Sequence, residues 1–419
     1  MIKEIEIRIW NQVAGYAAYK NSRLVYFEYD SNFPQTYDLA PIMMPRARQQ
    51  VWNFDLNYST YYGLPGLLAD SLPDKYGNQM IDTWFSSQGL ALADISALDR
   101  LCYLGTRAMG ALEFFPNTNE FNSNNQIEIS QLIDLSQKVL QERQNFKSSI
   151  DENLSTLIHI GSSAGGARAK AVVAFNAKTG EIRSSQTQSD KGFEQYIIKL
   201  DGVSNESLGE PLGYTNIEYA YYLMAKACGI EMNQSQLLEE KGRVHFLTKR
   251  FDRTEEGEKL HMQTLCALAH LDYNEARVAS YEILFRVANL LSLSAFDKEQ
   301  IFRRMVFNVI SRNHDDHTKN FSFLMNRDAK WKLASAYDLT FSYNPDSYWL
   351  KEHQLLVNGK STDIKKEDLL VYAKKFHIKN AKEIIREIQE QCSKFTSFAK
   401  KAKVGKERAC YITSSLRDL

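Results

Sequence analysis

The sequence lacks the features that mark disulfide-rich, zinc-ribbon or membrane proteins. Its five cysteines are scattered and form no C-x-x-C pair, which disfavours a zinc ribbon or a disulfide framework and indicates a reducing compartment. No segment is apolar over the length of a membrane span. The first residues, Met1–Glu6, alternate charged and apolar side chains where a signal peptide would have an apolar core. We therefore expect a cytoplasmic protein with no membrane association.

Net charge is also absent. The chain has 51 Lys and Arg against 51 Asp and Glu, so as a whole it has no electrostatic attraction to nucleic acid or to an anionic membrane. The basic stretch Lys394–Arg408 is interpreted as a solvated helix face, and contact with DNA is the less favoured alternative. With 44% hydrophobic and 24% charged residues over 419 positions, we expect a globular protein of two or three lobes.

Hydrophobic periodicity predicts a strand-rich first part and a helix-rich last part. Alternation over Ile5–Trp10 and the segments after it predicts a small antiparallel sheet. The polar run Pro116–Gln126 is the best candidate for a linker. Strand patterns occupy much of Ala171–Thr248, with a helix at Ile217–Cys228, and helices dominate from Tyr281 onward. This order predicts a two-lobed α+β architecture.

The most informative stretch runs from Asn313 to Asn320. Asp315 and Asn320 are five positions apart, and Asp338 follows eighteen residues after Asn320. Protein kinases use this spacing: the first Asp orients the hydroxyl to be phosphorylated, and the Asn and second Asp hold magnesium on the nucleotide phosphates. The predicted helix Ile301–Ser311 ends just before, which places the cluster in a loop. A polar turn with helix-capping residues would explain one of these residues but not the set.

Phosphoryl transfer also needs a phosphate cradle and a cation on the phosphates. The run Gly161–Gly166 is flexible enough to bring backbone N–H groups against phosphates, although Ala167-Arg168 stands where a P-loop NTPase needs Lys-Ser/Thr. Lys199 ends an apolar strand and Glu218 lies on the next helix, as in the lysine–glutamate pair of kinases. A solvated strand-end lysine and a glutamate placed by the helix dipole are the alternative, which is favoured without the other motifs.

The segment Lys249–Arg253 follows a strand and is a candidate for adenine binding. Its backbone can present hydrogen-bonding groups to the base, Phe251 can pack on the base, and Asp252 can bond the ribose. Taken alone, an ordinary charged turn is the preferred alternative.

A second interpretation of the loop is a metal-dependent phosphohydrolase. That class ligates its metal through His and Asp, and the candidates here are His314, Asp315, Asp316 and His317, with His270 and Asp272 upstream. The class requires its histidines on packed helices, and the flanking pattern does not supply these. We therefore rank this interpretation behind the kinase, with His317 bracing the loop by hydrogen bonding.

Together these segments resemble the HipA family of toxin serine/threonine kinases. The matching pieces are Leu64–Asp74, Gly105–Ala111, Gly161–Lys170, Ile197–Leu200, Lys249–Arg253, Asn313–Phe323 and Ala336–Leu339. The resemblance spans residues 1 to about 345 and implies a two-lobed, protein-kinase-like α+β fold with an appended β-rich N-terminal subdomain. The corresponding division is 1–115 for that subdomain, 116–127 for a linker, 128–253 for a nucleotide-binding lobe and 254–419 for a helical lobe carrying the catalytic and metal-binding loops.

The resemblance implies a role for each candidate residue. Asp315 is then the catalytic aspartate, and Asn320 and Asp338 hold Mg2+. The residues expected to contact ATP are Ser163, Ala164, Gly165, Gly166, Lys199, Glu218, Arg250, Phe251, Asp252, His317 and Lys319. Ser163 matches the serine that family members autophosphorylate, and the adjoining Ser162 leaves open which of the two is modified. Phosphorylation would place about two negative charges where the nucleotide phosphates bind, so we hypothesise that it switches the enzyme off.

We therefore expect a Mg-ATP-dependent protein serine/threonine kinase that acts as the toxin of a toxin–antitoxin pair. The family implies a HipB-like DNA-binding antitoxin as partner, with DNA contacted only through it, and translation components such as an aminoacyl-tRNA synthetase as substrates. The alternative is a catalytically silent relative that binds the antitoxin and helps repress DNA. The presence of Lys199, Asp315, Asn320 and Asp338 argues against a loss of activity.

Overall fold

The computed structural model forms two compact units. It describes residues 2–20, 23–119, 124–141, 152–163, 168–184, 186, 190–203 and 213–419. The first unit comprises residues 1–40, 44–212 and 238–262, and the second comprises residues 41–43, 213–237 and 263–419. None of the helices in the described part of the chain has the length and apolarity that a membrane crossing requires.

The first unit begins with a four-stranded antiparallel sheet. Its strands are β1 (Glu4–Ile9), β2 (Gln12–Tyr19), β3 (Val25–Tyr29) and β4 (Leu112–Phe115), in the order β3-β2-β1-β4. Alternation along β1 buries its three isoleucines and leaves Glu4, Glu6 and Arg8 more exposed. Between β3 and β4 the chain forms helices α1 (Tyr58–Tyr61), α2 (Gly66–Ala69), α3 (Lys75–Ser87) and α4 (Ala97–Leu104). The predicted N-terminal sheet is confirmed.

A five-stranded sheet follows in the same unit, after helices α5 (Ile129–Gln141) and α6 (Glu152–Gly161). Its strands are β5 (Lys170–Phe175), β6 (Ile182–Arg183), β7 (Glu194–Lys199), β8 (Ser235–Glu240) and β9 (Arg243–Lys249), in the order β6-β5-β7-β9-β8. Every residue of β5 is buried, since apolar side chains of α5 and α6 pack with it in one core. The strands predicted within Ala171–Thr248 are confirmed.

The second unit is mainly helical. Its helices are α7 (Tyr214–Ala227), α8 (Leu265–Ala269), α9 (Tyr281–Leu290), α10 (Ala295–Ser311), α11 (Lys366–Lys375), α12 (Ala381–Ser393), α13 (Phe395–Lys401) and α14 (Lys406–Ser415). Short strands β10 (His261–Thr264), β12 (Ser322–Met325) and β13 (Trp331–Leu333) form one sheet, and β11 (Ala279–Ser280) pairs in parallel with β14 (Leu355–Leu356).

Helix α7 belongs to the second unit, although the predicted nucleotide-binding lobe, residues 128–253, included it. The helix itself agrees with the prediction for Ile217–Cys228. Its buried face explains the grouping, because the Tyr221 ring meets the rings of Phe307 on α10 and Phe395 on α13 at centroid distances of 6.0 and 5.6 Å. Periodicity indicated a buried face but could not say which core would receive it.

We expect the Phe285→Ala substitution to lower the free energy of unfolding by about 3–5 kcal/mol, because it removes a buried ring from the core. Phe285 is fully buried on α9 and stacks on Phe376 with ring centroids 4.5 Å apart. Leu290 on the same helix is 69% exposed, so Leu290→Ala is the matched control. Urea denaturation followed by circular dichroism measures both, and equal effects would contradict the core position of Phe285.

Candidate active site

The path of the loop after α10 is fixed by a left-handed residue and by hydrogen bonds. The helix ends at Arg312, which has the left-handed φ of 60°. Asn313 then turns back on the helix, where its Nδ2 donates to Asn308 Oδ1 at 2.9 Å. Burial lowers the pKa of His314 to about 3, so its ring is neutral at pH 7 and Nδ1–H donates to the Leu350 carbonyl at 3.0 Å. These contacts fix the backbone position of the next residue, Asp315, which is the predicted catalytic aspartate.

The second aspartate of the loop, Asp316, is a structural anchor. Its carboxylate is buried and accepts four hydrogen bonds. The donors are the Tyr281 hydroxyl at 2.9 Å, His353 Nδ1 at 3.1 Å, and the backbone N–H groups of Gln354 at 2.8 Å and Leu355 at 3.3 Å. A buried carboxylate is tolerated only with such partners, and here all of them are provided by the second unit.

Asp315 has the opposite environment. Its side chain is 49% exposed, and the ring of His317 places its Nε2 3.8 Å from Oδ1. Within the described residues no hydrogen bond occupies its carboxylate, so both oxygens can accept a proton donor from outside. Of the two adjacent aspartates, Asp315 is therefore the one available for general-base chemistry.

Asn320 lies at the end of a short 3-10 turn, Thr318–Asn320. Its Nδ2 donates to the backbone carbonyl of Asp315 at 2.7 Å, which closes the loop and leaves the amide oxygen as an acceptor. The five-residue spacing read from the sequence thus corresponds to a direct contact between the two residues.

A tyrosine connects the segment of Asp338 to that of Asn320. The Tyr337 hydroxyl donates to the Lys319 carbonyl and accepts from Ser322 Oγ at 2.6 Å. The following residue, Asp338, is half-buried and has a φ of 52°, a left-handed conformation that Asp adopts more readily than most residues. An amide oxygen and a carboxylate suit Mg2+, which takes hard oxygen ligands and usually only one or two carboxylates from the protein.

Three further candidates for nucleotide contact lie in the second unit. The ring of His317 is 5.5 Å from that of Tyr273, and Lys319 Nζ lies 4.8 Å from the centroid of the same ring. Glu218 is a half-buried residue of α7. The roles of all three at a nucleotide stay predictions.

Lys199, Ser162 and Ser163 lie in the first unit. Lys199 is the last residue of β7 and pairs in the ladder with Lys170 of β5. Both serines are buried at the end of α6: Ser162 Oγ donates to the His159 carbonyl at 2.9 Å, and Ser163 Oγ lies 3.2 Å from Gln186 Oε1. Ala164, Gly165 and Gly166 lie outside the described residues, so the expected phosphate cradle stays a prediction.

The expected ribose contact of Asp252 is not supported by its position. The residue is fully buried, and its carboxylate receives Arg250 Nε at 2.9 Å, Arg250 Nη2 at 2.7 Å, Arg253 Nη1 at 2.9 Å and Gly110 N at 2.7 Å. Although burial acts to raise it, the two guanidinium groups hold the pKa of the Asp252 carboxyl well below its usual range.

The side chain of Arg250 is likewise buried in this ion pair, which leaves only its backbone for the expected adenine contact, next to the half-buried Phe251. A signal for the pair was present in the sequence. Arg250 and Asp252 are two positions apart, and in extended backbone such side chains lie on one face.

The residues proposed as metal ligands of a His/Asp hydrolase do not form a cluster in the described part of the chain. Asp272 caps its own turn by accepting from Asn274 N at 2.8 Å, and His270 ends α8 in a left-handed conformation. His314 and Asp316 are engaged as described above. In the described ranges, no group of three or more His, Cys, Asp or Glu side chains is placed to hold a metal ion. The hydrolase interpretation therefore has no structural support in this part of the chain.

Comparison with known proteins adds independent findings. Residues 5–115 match the HipA N-terminal domain, and residues 162–396 match the HipA-like C-terminal domain. The structure of Shewanella oneidensis MR-1 HipA, in a complex with HipB and its operator DNA, aligns with a TM-score of 0.66 at 15% identity, over 98% of this chain and 94% of that one. This similarity confirms the predicted α+β fold class with its β-rich N-terminal region.

Two kinases are also similar to parts of the chain. A putative kinase of Haemophilus influenzae is 26% identical over an alignment of 138 residues; the match covers 29% of this chain and only 39% of that protein's length. The Helicobacter pylori proinflammatory kinase CtkA aligns over 52% of this chain and 92% of its own, at 12% identity and a TM-score of 0.32, a level from which no shared fold follows.

We expect Asp252→Asn to lower the free energy of unfolding by about 3–5 kcal/mol, because it leaves two buried guanidinium groups without their counter-charge. The native stabilisation is fully present above the ordinary aspartate pKa of about 4 and is lost as the pH falls from there toward the depressed folded-state value. Denaturant titrations at several pH values measure both effects. The exposed Asp190, paired with Arg183, provides the control substitution Asp190→Asn, which should change little.

A ribose-binding Asp252 would behave differently. The substitution would then raise the KM for ATP at unchanged stability, and that result would contradict the structural role.

Proposed function

The chain belongs to the HipA family, and we propose that it is a Mg-ATP-dependent protein serine/threonine kinase. The observation that carries the proposal is the contrast between two neighbouring carboxylates in one loop. Asp316 is buried and accepts four hydrogen bonds, whereas the side chain of Asp315 is 49% exposed and free to accept one from a substrate. A catalytic base needs this combination of fixed backbone and available carboxylate.

In the proposed reaction, Asp315 accepts a hydrogen bond from the serine or threonine hydroxyl and orients its oxygen toward the γ-phosphorus of ATP. As the new O–P bond forms, the bond from the γ-phosphorus to the β–γ bridging oxygen breaks, ADP leaves, and the carboxylate takes the hydroxyl proton. Asn320 and Asp338 would hold Mg2+, which when bound neutralises charge on the β- and γ-phosphates. The proposal assigns Lys199 to the phosphates, supported by its motif, and the backbone of Arg250 and Phe251 to the adenine.

The proposal extends to a biological role. It makes the chain the toxin of a toxin–antitoxin pair, with a HipB-like DNA-binding antitoxin as partner and a translation component, such as an aminoacyl-tRNA synthetase, as substrate. Support comes from the family and from the Shewanella structure, which contains HipA together with HipB and operator DNA. Autophosphorylation at Ser163 is part of the same proposal, and its support is the match of this segment to the family.

We expect Asp315→Asn to lower phosphoryl transfer by about a hundredfold or more, because it removes the proton acceptor while leaving the exposed site folded. Asp316→Asn is the matched neighbour, and it should lower the free energy of unfolding by about 2 kcal/mol or more, because an NH2 group replaces one acceptor oxygen and leaves buried donors unsatisfied. Transfer from labelled ATP to the chain itself and to a general protein acceptor, with denaturant unfolding alongside, measures both.

Full transfer by the Asp315→Asn variant would rule out this assignment of the base. A folded native chain that transfers no phosphate would instead favour the catalytically silent, antitoxin-binding alternative.

We expect Asp338→Asn to raise the Mg2+ concentration required for half-maximal transfer by about tenfold, since one of two proposed oxygen ligands loses its charge. Asn accepts the left-handed φ of 52° as Asp does, so this change separates charge from backbone strain, whereas Asp338→Ala would combine them. A Mg2+ titration of the rate measures the effect. Asp328→Asn, at an exposed turn, is the control, and equal Mg2+ requirements in both variants would argue against a metal ligand at Asp338.

A further inference from the structure

A buried arginine of the first unit, Arg107, has no anionic partner among the residues that the structure describes. Its side chain donates from Nη1 to the His159 carbonyl at 3.3 Å and from Nη2 to the Tyr103 carbonyl, and the guanidinium lies 5.0 Å from the centroid of the Tyr103 ring. The residue is 2% exposed, and in the described part of the chain no carboxylate lies within ion-pair distance of it. Its positive charge is therefore met only by neutral groups.

Arg250 in the same unit shows the usual arrangement. It is as deeply buried as Arg107, but its guanidinium is held by two hydrogen bonds to the carboxylate of Asp252. Burying an ion costs several kcal/mol when no opposite charge compensates it. The surroundings of Arg107 can thus accommodate an anion, and the described residues do not supply one.

The two candidate phosphorylation sites converge on the acceptor that Arg107 uses. The His159 carbonyl receives Arg107 Nη1 at 3.3 Å, Ser162 Oγ at 2.9 Å, Ser163 Oγ at 3.4 Å and Gln186 Nε2 at 3.2 Å. The guanidinium and the serine hydroxyls are therefore neighbours around one oxygen atom.

Phosphorylation would change Ser163 from a hydrogen-bond donor into an acceptor. The hydroxyl now faces two acceptors, Gln186 Oε1 at 3.2 Å and the His159 carbonyl at 3.4 Å. A phosphoserine carries about two negative charges and only acceptor oxygens, so both present partners would repel it. Arg107 is the neighbouring group with the opposite preference, because guanidinium N–H groups form short, charge-assisted hydrogen bonds to phosphate.

We propose that Arg107 is the receiving site for the phosphate group of phosphorylated Ser163. In the phosphorylation step, Ser163 Oγ bonds to the γ-phosphorus of ATP, the bond from that phosphorus to the β–γ bridging oxygen breaks, and ADP leaves. The hydroxyl proton passes to Asp315 of the catalysing copy and then to solvent. Arg107 then exchanges the His159 carbonyl for phosphate oxygens. The ion pair would hold Ser163 in place and so explain the loss of activity that we hypothesise on phosphorylation; this regulation rests on the proposed kinase function.

The test places phosphoserine at position 163 by genetic encoding, in the full chain carrying Asp315→Asn. The phosphate is then present whether or not the chain is a kinase. Phosphorus NMR follows its second ionisation, which ordinarily has a pKa of about 6. Pairing with Arg107 favours the dianion, so the midpoint in the folded protein should lie about one pH unit below that in urea. Arg107→Met should remove most of this difference, and Arg107→Lys should retain part of it.

Arg100→Met is the control, because Arg100 pairs with Asp82 and does not contact the serines. It should leave the midpoint unchanged. Equal midpoints in folded and urea-unfolded protein would overturn the proposal, and that comparison needs no substitution of Arg107. A shift for phosphoserine at 162 with none at 163 would overturn it too. The proposed function is tested separately by transfer from labelled ATP, so either can fail without the other.

Discussion

The geometry of the candidate active site depends on one buried carboxylate. Asp316 accepts hydrogen bonds from Tyr281 at the start of α9, from His353, and from two backbone N–H groups at β14. Because an unsatisfied buried charge is so costly, these donors admit essentially one position for the loop. Asp315 and Asn320 then have little freedom, since Asn320 is itself bonded to the Asp315 backbone. The positions of Asp315 and Asn320 are therefore fixed by the hydrogen bonds of Asp316, which takes no part in the proposed reaction.

Features that depend on residues close in the sequence could be predicted, whereas features that depend on contacts between distant residues could not. The strands followed from two-residue alternation and are confirmed, whereas Asp315, Asn320 and Asp338 were selected by their spacing and their roles stay predictions. The spacing to Asn320 separated Asp315 from Asp316, but it could not show what Asp316 does, because its hydrogen-bond donors come from residues 281 and 353–355. The ribose role of Asp252 was implied by the family resemblance of its segment, and only the fold shows that this residue is fully buried.

Buried charges in this protein fall into different classes. Asp316 and Asp252 are anions whose acceptor positions are filled, and they organise the backbone around them. Arg107 is a cation whose partners, within the described residues, are all neutral. The two buried carboxylates explain the path of the backbone around them. The buried charge of Arg107 is the observation behind the proposed phosphate site. Burial alone does not distinguish them; the balance of charge around each group does.

The two units are not consecutive along the chain, and this has a consequence for protein synthesis. Strand β9 lies between β7 and β8 in the five-stranded sheet, yet it follows residues 213–237, which belong to the second unit. Helix α7 is therefore synthesised before the first unit can fold completely. It can pack only after its partners from residue 263 onward have been synthesised. During that interval its apolar face is open to water and to other nascent chains. The speed of translation across this stretch, and the chaperones that meet it, thus bear on how much native protein a cell obtains.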